Sequence, residues 1–317
     1  METETTNLPA KVRQVSVSAD EAGQRIDNFL LRYLKGVPRS YIYRILRRGE
    51  VRVNKGRIKP QYKVQAGDTV RIPPVRLENT TRQRLAPERL PAIEARILFE
   101  NSHLLVLNKP SGIAVHGGSG LSYGVIEALR ALRPAAPYLE LVHRLDRDTS
   151  GCLLIAKRRS ALRALHAQLR AGEVGKHYLA LVQGDWVGGP RKVDAPLKKN
   201  HLQGGERVVR VQADGKPAVT LIQPVSQYTG ATLVEVRLET GRTHQIRVHA
   251  AHIGHPLAGD DKYGDTDFNR RMQAHGLRRL FLHAHMLEFT NPASDATVNI
   301  SAPLDDALKG VLDELED

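Results

Sequence analysis

Cysteine is almost missing: Cys152 is the one thiol in 317 residues. An intrachain disulfide and a multi-thiolate metal cluster are therefore both excluded, and a reducing compartment, the cytoplasm, is the expected setting. Long apolar runs are missing too. The longest, such as Leu104–Leu107 and Cys152–Ala156, have strand length and fall far short of the roughly 20 residues a spanning helix needs, so no membrane integration is expected. Met1–Thr6 lacks a basic flank and an apolar stretch behind it, and reads as a frayed tail rather than a secretion signal. Internal repeats and low-complexity tracts are absent. Acidic residues are in deficit, 34 against 47 Lys and Arg, for a net charge of +13. That imbalance points to a polyanionic partner, nucleic acid or an anionic membrane surface.

What is present is unevenly spread. Asp20 to Ile72 holds 13 basic residues and five acidic ones, so one sixth of the chain carries most of the excess. Within it Ile26, Phe29, Leu30 and Leu34 make one apolar stripe on a helix. A second helix starts near Pro38 and Ser40, buries Ile42, Ile45 and Leu46, and ends at Gly49 in the left-handed conformation. Short strands follow at Val51–Asn54, Arg57–Ile58 and Val70–Ile72, with a turn at Lys55–Gly56 and another at Ala66–Asp68. Arg44, Arg47 and Arg48 share the face of the second helix opposite its apolar side. A solvated face is the bland reading, but like charges this close repel unless something negative lies against them.

Residues 75–92 are polar and proline-flanked without periodicity, and read as a linker. The expected organisation is a small basic domain at 20–74, the linker, and a second domain at 93–317. In the second domain strand-length runs at Leu104–Leu107, Leu153–Ala156, Tyr178–Val182, Thr232–Leu238 and Leu280–His283 alternate with helical patterns such as Ala161–Leu169. An α+β domain around a large sheet is expected.

Two polar clusters break the apolar rhythm. The first, Val142–Gly151, sets His143, Arg144, Asp146, Arg147 and Asp148 before a strand; alone it is equally a salt-bridged turn. The second, Glu239–His249, has Thr243 placed to cap a helix after Gly241 and Arg242. Free N–H groups and the helix dipole make that a plausible anion site, against the alternative of an ordinary capped helix. His244, His249, His252 and His255 follow no familiar ligand spacing and no HExxH pattern occurs, so no metal is expected.

Four ordered segments together resemble the RluA family of pseudouridine synthases: Asn108–Gly112, His143–Gly151, Lys176-His177-Tyr178 and Gly241–His249. Gln24–Ile72 resembles the αL RNA-binding motif first described in a small-subunit ribosomal protein, through Arg25-Ile26-Asp27, Arg39-Ser40, the basic helix, Gly49–Asn54 and Gly67-Asp68. With that module included, the whole chain is similar to members acting on large-subunit (23S) ribosomal RNA or its precursor. The resemblance implies a large mixed, mainly antiparallel sheet in the catalytic domain, isomerisation of uridine to pseudouridine, and no cofactor, since the reaction has no net redox change. Monomer is the default state.

The resemblance also implies roles. Asp146 is the essential carboxylate, either a nucleophile on ribose or uracil or the base that opens a glycal route. Tyr178 stacks on the uracil and its oxygen helps remove the carbon 5 proton. Arg247 pairs bidentately with Asp146, keeping it ionised and oriented. Arg144 fills the gap left by the flipped nucleotide, with Arg242, His244 and Gln245 as further substrate contacts. Arg39, Arg44, Arg47, Arg48, Arg52 and Lys55 are the expected RNA-binding residues of the N-terminal module. Asp148 reads as a structural cap and Cys152 as a small buried residue. Two rival readings are a non-catalytic RNA-binding factor, which has no need of the Asp146, Tyr178 and Arg247 trio, and an RNA N-glycosidase, which would release free uracil.

Overall fold

A computed structural model of the chain describes residues 12–34, 37, 39–75, 89–117, 124–201 and 207–316. Internal contacts divide the chain into two units, Met1–Arg82 and Gln83–Asp317.

In the first unit the stripe of Ile26, Phe29, Leu30 and Leu34 is completely buried, on a helix α1 (Ile26–Tyr33) that Leu34 terminates. Full burial of such side chains contributes about 1.5–3 kcal/mol each, which is what drives so short a helix to form. Helix α2 (Arg39–Arg48) buries Ile42, Ile45 and Leu46, and Gly49 follows at φ +69°, the left-handed exit expected of it. Both helices share one core with an antiparallel sheet of order β1-β4-β2-β3: β1 (Arg13–Ser16), β2 (Arg52–Val53), β3 (Gly56–Arg57) and β4 (Thr69–Ile72). Strand β1 begins ahead of the residue 20 boundary expected from charge. Val15 and Val17 are buried, and the strand pairs with β4 along its whole length. The tight turn after β2 is Asn54-Lys55, both at positive φ, one residue before the Lys55–Gly56 position expected. Asn54 bears that conformation because its side-chain oxygen accepts from the Thr69 amide at 2.9 Å while its amide donates to Asp68 at 2.8 Å.

The second unit runs α3 (Arg89–Glu94), β5 (Ile97–Glu100), β6 (Leu104–Lys109), α4 (Val125–Leu132), β7 (Glu140–Leu141), β8 (Ser150–Ala156), α5 (Arg159–Ala171) and β9 (Gly175–Gln183). There follow β10 (Arg191–Asp194), β11 (Leu197–His201), β12 (Arg207–Val211), β13 (Val219–Tyr228), β14 (Ala231–Leu238), α6 (Gln245–His252), α7 (Thr266–Ala274), β15 (Leu282–Thr290), β16 (Thr297–Ser301) and α8 (Asp306–Glu316). Helix α3 starts inside the stretch expected to be linker, because Ile93 is buried in the core; residues 76–88 of that stretch lie outside the described residues.

Ten strands form one sheet of order β10-β13-β14-β9-β15-β8-β6-β5, with β16 on β15 and β7 on β8. The domain is thus α+β around a large mixed, mainly antiparallel sheet; among the described strands only β15 and β8 pair in parallel. All seven residues of β8 are buried, with Leu153 and Ile155 on one face and Cys152 and Leu154 on the other. Cys152 is a buried small residue, and burial pushes its thiol up to about 12. The parallel contact needs a glycine: Gly151 sits at φ +104°, and a Cβ there would collide with the backbone of Ala284. No helix among the described residues is long and apolar enough to cross a membrane.

Candidate active site

The connection from β7 into β8 carries Asp146, and the residues around it are tied down from two sides. His143 is the first tie: its Nε2 accepts from the Leu154 amide at 3.1 Å. Burial pushes that imidazole down to about 4, so it stays neutral and keeps its acceptor lone pair. Lys109 is the second. Its side chain is fully buried, and Nζ donates to the carbonyls of Pro110, Ile113 and Arg147, each at 2.9 Å. Burial pulls this amine down to about 7, while three acceptors call for the three N–H donors of the ammonium. Ser111 adds a hydrogen bond to the Asp148 carbonyl at 2.7 Å. The Asn108–Gly112 segment is thus a clamp on the loop, a role its sequence alone did not disclose. Asp148 is no cap: its carboxylate pairs with the exposed Arg147 at 3.0 Å.

Arg247 reaches the site from α6. The resemblance implies a bidentate pairing with Asp146, but the two-pronged contact goes to Asp260, Nε to Oδ2 at 2.7 Å and Nη2 to Oδ1 at 2.6 Å. The remaining Nη1 stands 4.0 Å from Asp146 Oδ2. Asp260 is the better-enclosed partner, with a completely buried side chain that also accepts from the Lys262 and Tyr263 amides. Burial opposes its charge, yet Arg247 and those amides outweigh it and the carboxyl lies below its ordinary value. Burial likewise opposes the Arg247 charge and Asp260 overrides it, raising the guanidinium's pKa.

His244 Nε2 also stands 4.0 Å from Asp146 Oδ2. Its Nδ1 lies 2.7 Å from the Tyr263 hydroxyl, whose oxygen already accepts from the Val209 amide at 3.0 Å. The contact with Tyr263 fixes the orientation of the imidazole and leaves Nε2 as the nitrogen facing Asp146. Burial lowers the His244 pKa, with Asp146 acting the other way. Asp260 and Tyr263 were missed from the sequence. Their signal, a Gly-flanked Asp260–Tyr263 turn, takes on meaning only once α6 is packed against it.

Tyr178 lies on β9 with its ring buried. Burial first, and the charge of Asp146 next, push its phenol well above the ordinary value, so it holds its proton across the physiological range. Two adjoining cavities of about 920 and 390 Å³ share Arg144, Leu145, Asp146, Thr243, His244 and Arg247 in their walls, and the smaller adds Tyr178 and Arg242. Arg144 and Arg242 are exposed at the rim. Gln245 also borders the smaller cavity, but its amide is spent. Oε1 accepts from Thr240 Oγ1 and the Arg242 amide, and Nε2 donates to the Val219 carbonyl and Thr220 Oγ1. It braces the loop and leaves no polar group for a substrate, a correction to the expected contact. The helix begins at Gln245 with His244, at φ +54°, as its cap residue, not at Thr243. Two of the histidines that follow His244 are engaged elsewhere: His249 bonds Thr220 and the Ala195 carbonyl, and His255 the Gln183 carbonyl.

In the first unit Arg44, Arg47 and Arg48 are exposed along α2, with the Arg44 guanidinium 4.4 Å from the centre of the Tyr41 ring. Arg39 is the first residue of that helix, and its side chain lies outside the described residues. Arg52 and Lys55 line a shallow basic hollow with Arg71, Gly49 and Glu50. Arg52 donates to the Gly49 and Lys55 carbonyls at 3.4 Å, which leaves its remaining N–H groups for an anion.

Comparison with known proteins agrees with this geometry. The RNA pseudouridylate synthase family model matches residues 103–252, and the S4 domain model matches residues 24–70. The ribosomal large subunit pseudouridine synthase C of Escherichia coli O157:H7 is 59% identical over 319 residues, covering 99% of each chain. That of Haemophilus influenzae is 57% identical, covering 98% of this chain and 97% of its own. Among solved structures, human RNA pseudouridylate synthase domain containing 4 superposes with a TM-score of 0.60 at 26% identity, covering 72% of this chain and 96% of its own. Relatives this similar from end to end, and a family match that spans Asp146, Tyr178 and Arg247, establish that the chain belongs to the RNA pseudouridylate synthase family and carries an S4 domain ahead of the synthase unit.

Proposed function

We propose that this chain converts specific uridines of large-subunit ribosomal RNA to pseudouridine, with Asp146 as the essential carboxylate. The observation that carries the reading is convergence: Asp146 from the β7–β8 loop, Tyr178 from β9 and Arg247 from α6 meet at one cavity. Its volume of about 390 Å³ suits a single extruded base. The relatives' names, read over a full-length match, support large-subunit RNA as the substrate class.

The reaction breaks the bond from N1 to the anomeric carbon, turns the uracil, joins C5 to that carbon, and moves a proton from C5 to N1. No electrons are gained or lost, so no cofactor is required. Asp146 acts at the anomeric carbon or on the base, or as the base of a glycal route; in each case the Arg247 guanidinium, with Nη1 4.0 Å away, faces it and favours its charge, with His244 Nε2 at the same distance. Tyr178 offers a ring to stack on the uracil. Its phenol can take the C5 proton only after losing its own, which burial first and the negative charge of Asp146 next oppose. Only the part due to Asp146 is relieved once that carboxylate is covalently engaged, so a covalent step favours a late proton removal through the same charge. Arg144, at the rim of both cavities, fills the space the flipped nucleotide leaves, and Arg242 holds the neighbouring backbone. The exposed basic residues of the S4 domain, Arg44, Arg47, Arg48, Arg52 and Lys55, dock on folded RNA, and the sequence adds Arg39 to that set. The chain works as a monomer in the cytoplasm.

Asp146→Asn keeps size and removes the charge. With a ribosomal RNA transcript folded beforehand and then assayed in EDTA, wild type and Asp148→Asn should form pseudouridine, while Asp146→Asn should bind RNA and form none. Activity in Asp146→Asn overturns the reading; free uracil from wild type indicates a glycosidase, and binding without either product a non-catalytic factor.

A further inference from the structure

On the far face of the large sheet, three neighbouring strands bring together side chains that the uridine chemistry leaves unused. Successive strand residues alternate faces. Tyr178, Val234 and Val236 belong to the core on the cavity side, so His177 and Glu235, each adjacent to one of these, point to the opposite face, and His285, at the irregularity of β15 between His283 and Met286, meets Glu235 there. Strands β14, β9 and β15 are consecutive in the sheet.

We propose that His177, Glu235 and His285 form a binding site for a divalent transition-metal ion of the zinc type, distinct from the active site, which ties β14, β9 and β15 together. One oxygen and two imidazole nitrogens lie within 4.8 Å of one another. Glu235 Oε1 is 3.0 Å from His285 Nε2 and 3.5 Å from His177 Nδ1. A tetrahedral ion with bonds of about 2.0–2.1 Å requires ligand separations of roughly 3.3–3.4 Å, which these two bracket. The second observation is an orphan. His177 Nδ1 is buried and has no hydrogen-bond partner, a desolvation that stable folds normally compensate and that a metal bond would compensate here.

The donor set, two imidazoles and one carboxylate, matches borderline cations rather than calcium or magnesium, which demand oxygen. The side chains are 16%, 34% and 23% exposed, so an ion can enter and water can complete its shell. Arg237, the cross-strand neighbour of His177 on the same face, is exposed and opposes the ion's charge. The plain alternative is a hydrogen bond from His285 to Glu235 with His177 idle.

The test uses full-length, tag-free protein treated with EDTA and dialysed. Zn²⁺ is titrated calorimetrically, and Co²⁺ in parallel by its visible absorption, which is intense only in a near-tetrahedral site. Wild type and His252→Ala, which alters an exposed histidine outside the trio, should take up one equivalent of either ion. His177→Ala, His285→Ala and Glu235→Gln should each weaken binding at least about 10-fold, and Arg237→Ala should tighten it. Zinc should raise the urea midpoint of wild type and not of the trio variants. No uptake by wild type, or equal uptake by the trio variants, overturns the proposal; the wild-type titration decides even where a variant fails to fold.

Discussion

Replacing Asp260 by Asn tests how the site is held together. The Arg247–Asp260 pair is enclosed, with side-chain exposures of 11% and 0%, so screening by water is slight. Removing one partner of such a pair leaves an uncompensated buried charge and costs about 3–5 kcal/mol. With its oxygen at the Oδ1 position the Asn still accepts from Arg247 Nη2 and from the Lys262 and Tyr263 amides, but its amide meets Arg247 Nε donor to donor and the guanidinium loses its counter-charge, so about 3 kcal/mol, the low end of that range, is expected. The pH dependence carries a sign. An Asp carboxyl titrates near 3.8 unfolded and lower in the fold. Its stabilisation is complete above about 3.8 and is lost as pH falls through the folded value. The gap between wild type and variant should therefore be constant near neutrality and close in acid. Catalysis should suffer as well, because Arg247 loses the anchor that aims Nη1 at Asp146. We expect single-turnover rates down roughly 100-fold, about 2.7 kcal/mol, with unchanged RNA affinity. Urea melts across pH and single-turnover assays read both effects. A variant within about 0.5 kcal/mol of wild type, or one with full rate, would refute the argument.

Two further outcomes follow from the clamp and from the S4 domain. Lys109→Met strips three buried carbonyls of their donor, at about 1–3 kcal/mol each, offset by relief of ammonium burial; a net loss of about 2–3 kcal/mol and a slower reaction are expected. Since the wild-type amine titrates at about 7 folded and 10.5 unfolded, its burial penalty is full below 7 and fades toward 10.5, so wild type should gain on the variant as pH rises through that window in thermal melts. Changing Arg44, Arg47 and Arg48 together to Ala should weaken RNA binding and reduce the slope of log affinity against log salt by about 2–3, with the synthase unit still folded. An unchanged slope in filter binding would mean that α2 is only a solvated face.

Sequence patterns were most informative where structure is local. The α1 stripe, the Gly49 exit and the all-buried β8 follow from periodicity and from glycine's access to positive φ. Asp146, Tyr178 and Arg247 stood in recognisable segments, and the fold gathers them at one cavity. What escaped is what depends on a partner brought by tertiary packing. Gln245 has the chemistry of a substrate contact until its four hydrogen bonds are found inside the protein. Lys109 looks like surface charge until three carbonyls converge on it, and Asp260 gives no sign that it outcompetes Asp146 for Arg247. Strand β1 and helix α3 were passed over because each is short and is held by a few buried residues, Val15, Val17 and Ile93, too few to make a period.

The parallel seam between β8 and β15 also sets when the site can exist. Ser150 and His283, hydrogen-bonded at 2.8 Å across that seam, lie 133 residues apart in sequence. A chain emerging from the ribosome has Asp146 long before it has the strand that completes the sheet beside it, and long-range pairing of this kind is slow to form. A nascent enzyme is consequently without a finished cavity until nearly all of it has been made. Its RNA-docking domain, whose sheet is closed by the pairing of β1 with β4 and needs nothing beyond Ile72, is ready first. Attachment to RNA can precede competence to modify it, so an incomplete chain is able to occupy a substrate without altering it.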